Sequence, residues 1–225
     1  MIDYNALYKV SYGLYIVCSG SREYGNAYIS NTVFQVTSDP PRFATCCNKE
    51  NHTAGLIKAS GVFSVSVLRQ DAGTDTIGTL GYRSGKDADK LKDLELQYGE
   101  SGVPMVVNDA IALMEFRVLE TMDVGTHLMF IGDLIRTEIL DDQAEPLTYL
   151  YYRTVKKGSA PRNAPTYIDK AKLEKRITGG ELNQYKCPVC GYIYDEAKEE
   201  LKYDDLPDDW ICPVCGEKKS VFIKI

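Results

Sequence analysis

The chain has 225 residues, 44% of them hydrophobic, with 32 acidic against 26 basic residues and a net charge of −6. That length supports one substantial domain plus a small one, and the acidic balance argues against a nucleic-acid or anionic-lipid partner, since no basic block reverses it. No window approaches the ~20 apolar residues of a membrane span, and MIDYNALYKVSYGLYIVCSG carries no charged leader, so a soluble, cytoplasmic protein without a membrane partner is expected.

In chain order, Val10 to Cys18, Asn26 to Val36, Arg42 to Cys47 and Val62 to Leu68 are short runs rich in Val, Ile, Tyr, Phe and Thr, broken by Gly, Pro, Asn and Asp. These are strand signals, and VFSVSVL alternates clearly. VPMVV, AIALMEFRVLETM, HLMFIGDLIRTEIL and LTYLYYRTV continue the pattern at intervals suited to a barrel or sandwich. Helices are expected at 52–59, 86–96 and 169–176. The first has Asn51 as its start signal and Gly61 as its stop. Its first turn is a candidate anion site, because free N–H groups there point outward along the helix dipole.

Near Pro161 the composition turns polar, KKGSAPRNAPTYIDKAKLEKRITGGELNQ, with a Gly179-Gly180 pair. A large domain at 1–165, a linker at 166–183 and a small domain at 184–225 follow. The small domain holds the strongest local signal. Cys187-Pro-Val-Cys190-Gly191 and Cys212-Pro-Val-Cys215-Gly216 are two C-x-x-C turns separated by 21 residues. A glycine after each pair can take a positive φ, letting backbone N–H groups face the sulfurs. Two such turns facing each other form a tetrahedral S4 metal site. Zinc and iron both accept that ligand set, so spacing alone does not choose between them. The surrounding residues are aromatic (Tyr185, Tyr192, Tyr194, Trp210, Phe222), and nine acids face six lysines over 184–225. That acidity suits a phosphate backbone poorly.

The large domain has no G-x-G-x-x-G or Walker loop and only two histidines, His52 and His127, which makes a Rossmann, P-loop or metal site in it improbable. Its polar residues cluster instead. Ser30, Asn31, Thr32 and Gln35 could bond the polar edge of a planar ring, and Asn48, Asn51, His52 and Thr53 lie where a helix start would hold a phosphate. Turn formers and helix caps would look the same.

YKCPVCGYIYD with DLPDDWICPVCG closely resembles rubredoxin, which implies one iron ion bound by Cys187, Cys190, Cys212 and Cys215; the connection EAKEELKYDD is shorter than usual. YKVSYGLYIVCSG, ISNTVFQVTSDPP, CCNKENHTAGLIKASGVFSVSVL, LGYRSGKDADKL, GVPMVVNDAIALMEFRV and DVGTHLMFIGDL, in that order, resemble the flavin reductase-like family, nearest its ferric reductase and flavoredoxin branch. That resemblance implies a mainly β, Greek-key FMN-binding split barrel with few helices, assembled as a homodimer. It places Ser30, Asn31, Thr32 and Gln35 near the isoalloxazine and Asn48, Asn51, His52, Thr53, Ser84 and Lys90 toward the phosphate. It also sets Cys46 and His127 beside the reactive face, where nicotinamide from NAD(P)H could stack. Cys18 and Cys47 read as core residues.

The two-part architecture resembles the high-molecular-weight rubredoxins. The expected function is electron relay through FMN and an Fe(Cys)4 centre, with a rubredoxin reductase as donor and a flavodiiron O2 or NO reductase as acceptor. The alternative is an NAD(P)H-dependent flavin, ferric or rubredoxin reductase.

Overall fold

The computed structural model describes residues 2–86, 88–169, 173, 183–199 and 201–225. They divide into two compact units, Asn5–Tyr167 and Ile168–Ile225, the second including the residues up to Tyr4. The helix expected at 169–176 and most of the expected linker lie outside the described residues.

The large unit is built on a seven-stranded antiparallel sheet. Its strands are β1 (Tyr15–Gly20), β2 (Gly25–Ser30), β3 (Val33–Ser38), β4 (Pro41–Asn48), β5 (Val62–Leu68), β8 (Ala110–Asp123) and β9 (His127–Ile139), in the order β2-β1-β5-β8-β9-β4-β3. A separate pair, β6 (Leu96–Tyr98) and β7 (Pro104–Val106), forms a small hairpin. Register shifts in β8, at Glu115/Phe116 and Val118/Glu120, are bulges that bend the long β8–β9 ribbon. The architecture is the mainly β split barrel expected.

β1 is buried on both faces. Ile16 and Cys18 pack with Ile77, Leu80, Tyr149 and Tyr152, while Val17 packs on the other side with Ile57, Phe63, Val65, Phe116 and Phe130. A strand covered twice reads as a continuous apolar run, YIVC, rather than an alternation. Phe63, Phe116 and Phe130 are fully buried, each contributing about 1.5–3 kcal/mol of transfer free energy. The Phe63 and Phe116 rings stack with centroids 4.8 Å apart. They fit because Gly132 of β9 has no Cβ: one placed there would meet Phe63 at 2.8 Å and Phe116 at 2.9 Å.

Glu115 of β8 is also fully buried. Its carboxylate accepts the N–H of Glu100 (2.9 Å), the N–H of Ser101 (2.9 Å) and the Ser101 hydroxyl (2.6 Å). Burial alone would raise this carboxyl, but those donors outweigh it and the group ends below its ordinary value of 4.5. It fastens the tip of the β6–β7 hairpin to the sheet.

Three expectations need correcting. The run Asn26 to Val36 is two strands, broken at Asn31-Thr32, where Ser30 Oγ accepts the Thr32 N–H and closes a turn. No helix forms over 86–96 among the described residues; Asp89 accepts the Leu91 N–H in a local turn, and Lys90 and Leu91 are both buried there. LTYLYYRTV, expected as a strand, contains α3 (Tyr149–Thr154) instead. Thr148 caps it by accepting the Tyr151 N–H at 3.1 Å, and Tyr149 and Tyr152, three apart, share its buried face.

α1 (His52–Ser60) matches its expected position. Asn51 accepts the Thr53 N–H, and Gly61 closes the end at φ 68°. α2 (Thr74–Tyr82), TDTIGTLGY, was unforeseen because Thr and Gly are weak helix formers. Asp109, far along the chain, supplies its start by accepting the Gly73 N–H and the Thr76 hydroxyl, while Ile77 and Leu80 anchor its buried face.

The small unit has a three-stranded sheet, β11-β10-β12, from β10 (Gln184–Lys186), β11 (Ile193–Asp195) and β12 (Ile223–Lys224). Its core is aromatic. Tyr185 and Tyr203 stack at 3.9 Å, with Tyr194, Trp210 and Phe222 packed at their edges.

Candidate functional site

The two C-x-x-C turns are built alike. In the first, Cys187 N–H donates to Tyr192 O and Gly191 N–H to Cys187 O; in the second, Cys212 N–H donates to Glu217 O and Gly216 N–H to Cys212 O. Gly191 and Gly216 sit at φ 79° and 75°, a conformation that side chains rarely adopt. The four Sγ atoms lie within 4.8 Å of one another. Cys187–Cys215 and Cys190–Cys212 are 3.7 and 3.6 Å apart. A tetrahedron with metal–sulfur bonds of about 2.3 Å has edges of about 3.8 Å. Burial opposes ionisation of Cys212, yet N–H groups of Cys215 and Val214 bring its thiol down to about 7. Cys187 and Cys212 are buried, whereas Cys190 and Cys215 are exposed, beside the exposed apolar Val189 and Val214.

In the large unit a cavity of about 80 Å³ brings together Ser30, Asn31, Cys46, Asn48 and Asn51. Asn31 is its most informative residue. Its Nδ2 donates to Thr166 Oγ1 at 2.6 Å, but its buried Oδ1 has no partner, a deficiency shared among the described residues only by Ser66 Oγ. A buried acceptor left open costs about 1–3 kcal/mol until a donor arrives. Burial pushes the Cys46 thiol above its ordinary value, against the lowering effect of the Thr32 hydroxyl. Cys18 and Cys47 are fully buried and pushed up to about 12, as core residues would be.

Other expected site residues lie outside this lining. Thr32 Oγ1 donates to Cys46 O at 3.5 Å. Gln35 is exposed on edge strand β3 and donates to Thr37 O, because an outward strand position turns its amide away. Thr53 donates to Asn26, and His52 Nε2 pairs with the Tyr24 hydroxyl at 2.6 Å. Exposed Ser84 accepts the Lys86 N–H. Lys90 is buried, donates to Leu80 O at 3.1 Å, and is lowered to about 8 by burial. No carboxylate among the described residues pairs with it. His127 is occupied at both nitrogens: Nε2 donates to Asn163 O at 3.0 Å, and Nδ1 accepts from the Thr126 hydroxyl at 2.8 Å.

Sequence reasoning missed the cavity's aromatic walls, Tyr28, Tyr82, Tyr149 and Tyr152, and the stretch 159–165 along one side. The tyrosine richness of LTYLYYRTV was the available signal, but read as a strand it pointed nowhere.

A flavin reductase-like domain is matched over residues 7–159 and a rubredoxin domain over 184–222. The chain belongs to the flavin reductase-like family. It is 37% identical to the high molecular weight rubredoxin of Moorella thermoacetica, across 100% of both chains. The "Ferric-chelate reductase (NAD(P)H)" of Archaeoglobus fulgidus is 45% identical over 75% of this chain and 99% of its own. Among solved structures, an FMN-binding protein from Thermus thermophilus superposes with a TM-score of 0.58 at 24% identity, over 64% of this chain and 84% of that one; that likeness speaks to fold alone.

Flavin reductase-like and rubredoxin domains in one chain make it a flavin and iron electron-transfer protein. The residues present fit both cofactors. Four thiols with tetrahedral edges suit one iron ion. The unpaired Asn31 Oδ1 offers an acceptor for a flavin ring N–H, and tyrosines line the apolar part of its cavity. No helix among the described residues is long and apolar enough to cross a membrane.

Proposed function

We propose that this chain is a relay that takes electrons at the flavin and hands them one at a time from the iron centre to a terminal reductase, with a flavodiiron O2 or NO reductase as acceptor and a rubredoxin reductase as donor. The observation that carries the reading is the pairing, in one chain, of a flavin cavity with an S4 knuckle whose Cys190 and Cys215 reach the surface. When bound, FMN supplies two-electron acceptance with single-electron release, and iron accepts one electron at a time.

The chain's own residues position and insulate. Asn31 Oδ1, which has no partner, would accept a ring N–H and so hold the isoalloxazine edge. In the family's pattern the first turn of α1, beside Asn51 of the cavity lining, would take the phosphate together with Lys90; the Asn51 cap at present engages the Thr53 and Ala54 N–H groups, and Lys90 donates to Leu80 O. The cavity is smaller than the ~300 Å³ and above usual for ligand pockets. Seating a flavin would therefore need 159–165 to give way, at the expense of the His127–Asn163 and Asn31–Thr166 hydrogen bonds. At the knuckle, Val189 and Val214 exclude water where a partner meets the exposed sulfurs. The nine acids against six lysines over 184–225 speed encounter with a basic docking patch. The resemblance to the flavin reductase-like family extends the reading to a homodimer.

The Archaeoglobus relative's name favours a second reading, direct reduction of FMN by NAD(P)H. Anaerobic stopped flow with NADH or NADPH separates the two. Slow or absent bleaching of flavin and ferric absorbance, with rapid bleaching once a rubredoxin reductase is added, supports the relay. Bleaching of both centres within milliseconds to seconds of adding nicotinamide alone makes the chain the reductase itself.

A further inference from the structure

One part of the lining of the large unit's cavity differs in kind from the rest. Tyr28, Asn31, Tyr149 and Tyr152 are buried, whereas no residue from Lys157 to Tyr167, the stretch that completes the lining, is buried. Local stability follows buried apolar contact, so a segment without it opens at far lower free energy than the core around it.

Hydrogen bonds hold this strap instead. The Tyr82 hydroxyl donates to Ser159 O, His127 Nε2 to Asn163 O at 3.0 Å, and Asn31 Nδ2 to Thr166 Oγ1 at 2.6 Å. The three donors belong to α2, β9 and the turn between β2 and β3, so separate elements latch it. Its upstream end has the form of a hinge. Lys156 is fixed, its Nζ donating to Ala72 O at 2.9 Å. Lys157 sits at φ 57°, in the left-handed region that a residue with a Cβ enters only at a cost. Gly158 lies against the Tyr152 ring, which a Cβ there would meet at 2.1 Å. Rotation at these two positions relieves both constraints, and a few such loop residues are what absorb closing motions.

The latch also imitates a ligand. Two carbonyl oxygens and one hydroxyl of the strap take up three side-chain donors, the partners that a ring bearing carbonyls would otherwise use. Strap and ring compete for donors as well as for space.

We propose that 158–167 is a hinged strap acting as a built-in competitor of the ring ligand: latched, it closes the cavity, and only the unlatched fraction of the protein loads flavin. The inference rests on the flavin reading of this cavity for the identity of the ligand. Apparent affinity is then the intrinsic affinity scaled by the open fraction. Weakening the latch therefore tightens flavin binding, the reverse of what loss of a ligand contact does.

The test uses the full chain with its iron retained and flavin removed. Thr166→Val removes the acceptor of the Asn31 bond, and Tyr82→Phe removes the donor to Ser159 O. Opening is read on Cys46, which lines the cavity, as its rate of alkylation by N-ethylmaleimide in peptide mass spectrometry. Cys18 and Cys47, both fully buried, report unfolding. Each variant is expected to label Cys46 about tenfold faster, the loss of roughly one hydrogen bond, with Cys18 and Cys47 still protected. Thr166→Val is expected to bind FMN tighter by the same factor, through faster association. If one variant exposes Cys18 and Cys47 by unfolding, the other decides. Unchanged Cys46 labelling overturns the strap, and faster labelling with unchanged or weaker FMN binding overturns the competition. Faster labelling in a chain whose wild type binds no FMN sinks the flavin reading and leaves the strap standing.

Discussion

The two units hold their functional groups by opposite means. In the small unit all four ligands come from two five-residue turns, each fixed by its own backbone hydrogen bonds and one positive-φ glycine. In the large unit the cavity draws on β2, β4, α1, α2, α3 and the stretch 159–165, elements separated by more than a hundred residues. Among the described residues, the small unit's hydrophobic cluster is Tyr185, Tyr194, Tyr203 and Leu206, with partly buried aromatics around it. The large unit buries two extended clusters. One site organises its domain, and the other is organised by it.

The largest expected effect breaks the comparison at the metal. Cys212→Ser removes one of two buried ligands, so ferric absorbance should vanish and the small unit should lose cooperative unfolding, while flavin content stays at the wild-type level. Loss of flavin in the same variant would show the units to be one folding system. Chelation of the metal at low pH, where the thiolates are protonated, should have the same one-sided result in the visible spectrum.

The converse substitution is Phe63→Ala. Emptying the stack on Phe116 should cost the large unit about 3–5 kcal/mol in urea unfolding, and the iron spectrum should not change. Gly132→Ala pushes the same rings apart and should cost about 1–3 kcal/mol.

Glu115 adds a pH dependence to the large unit. Its folded pKa is below the unfolded one, so its contribution is complete above the ordinary value of 4.5 and is lost as pH falls through the lower folded value. Glu115→Gln should cost about 1–3 kcal/mol at neutral pH and flatten the acid limb of the stability profile. An unchanged acid limb would remove Glu115 from its assigned role. The smallest effect is at a cap: Thr148→Ala should cost about 1 kcal/mol and loosen α3, read as faster amide exchange over Tyr149–Thr154 with an unaltered knuckle.

The sequence by itself determined what is local. The C-x-x-C-G turns, α1 with its Asn51 and Gly61 ends, and strands such as Val62–Leu68 were legible because residues within a few positions specify each of them. Tertiary structure decided the rest. α2 exists because Asp109 reaches its first turn, and α3 because Tyr149 and Tyr152 have a core to enter. The 86–96 segment, rich in helix formers, gives up that preference to bury Lys90 and Leu91. The cavity of the large unit follows the same rule. Ser30, Asn31, Cys46, Asn48 and Asn51 were named from the chain, but Tyr28, Tyr82, Tyr149 and Tyr152 join them only through packing between elements far apart in sequence. A metal knuckle is encoded by spacing, whereas a cavity is encoded by which surfaces fail to close against one another.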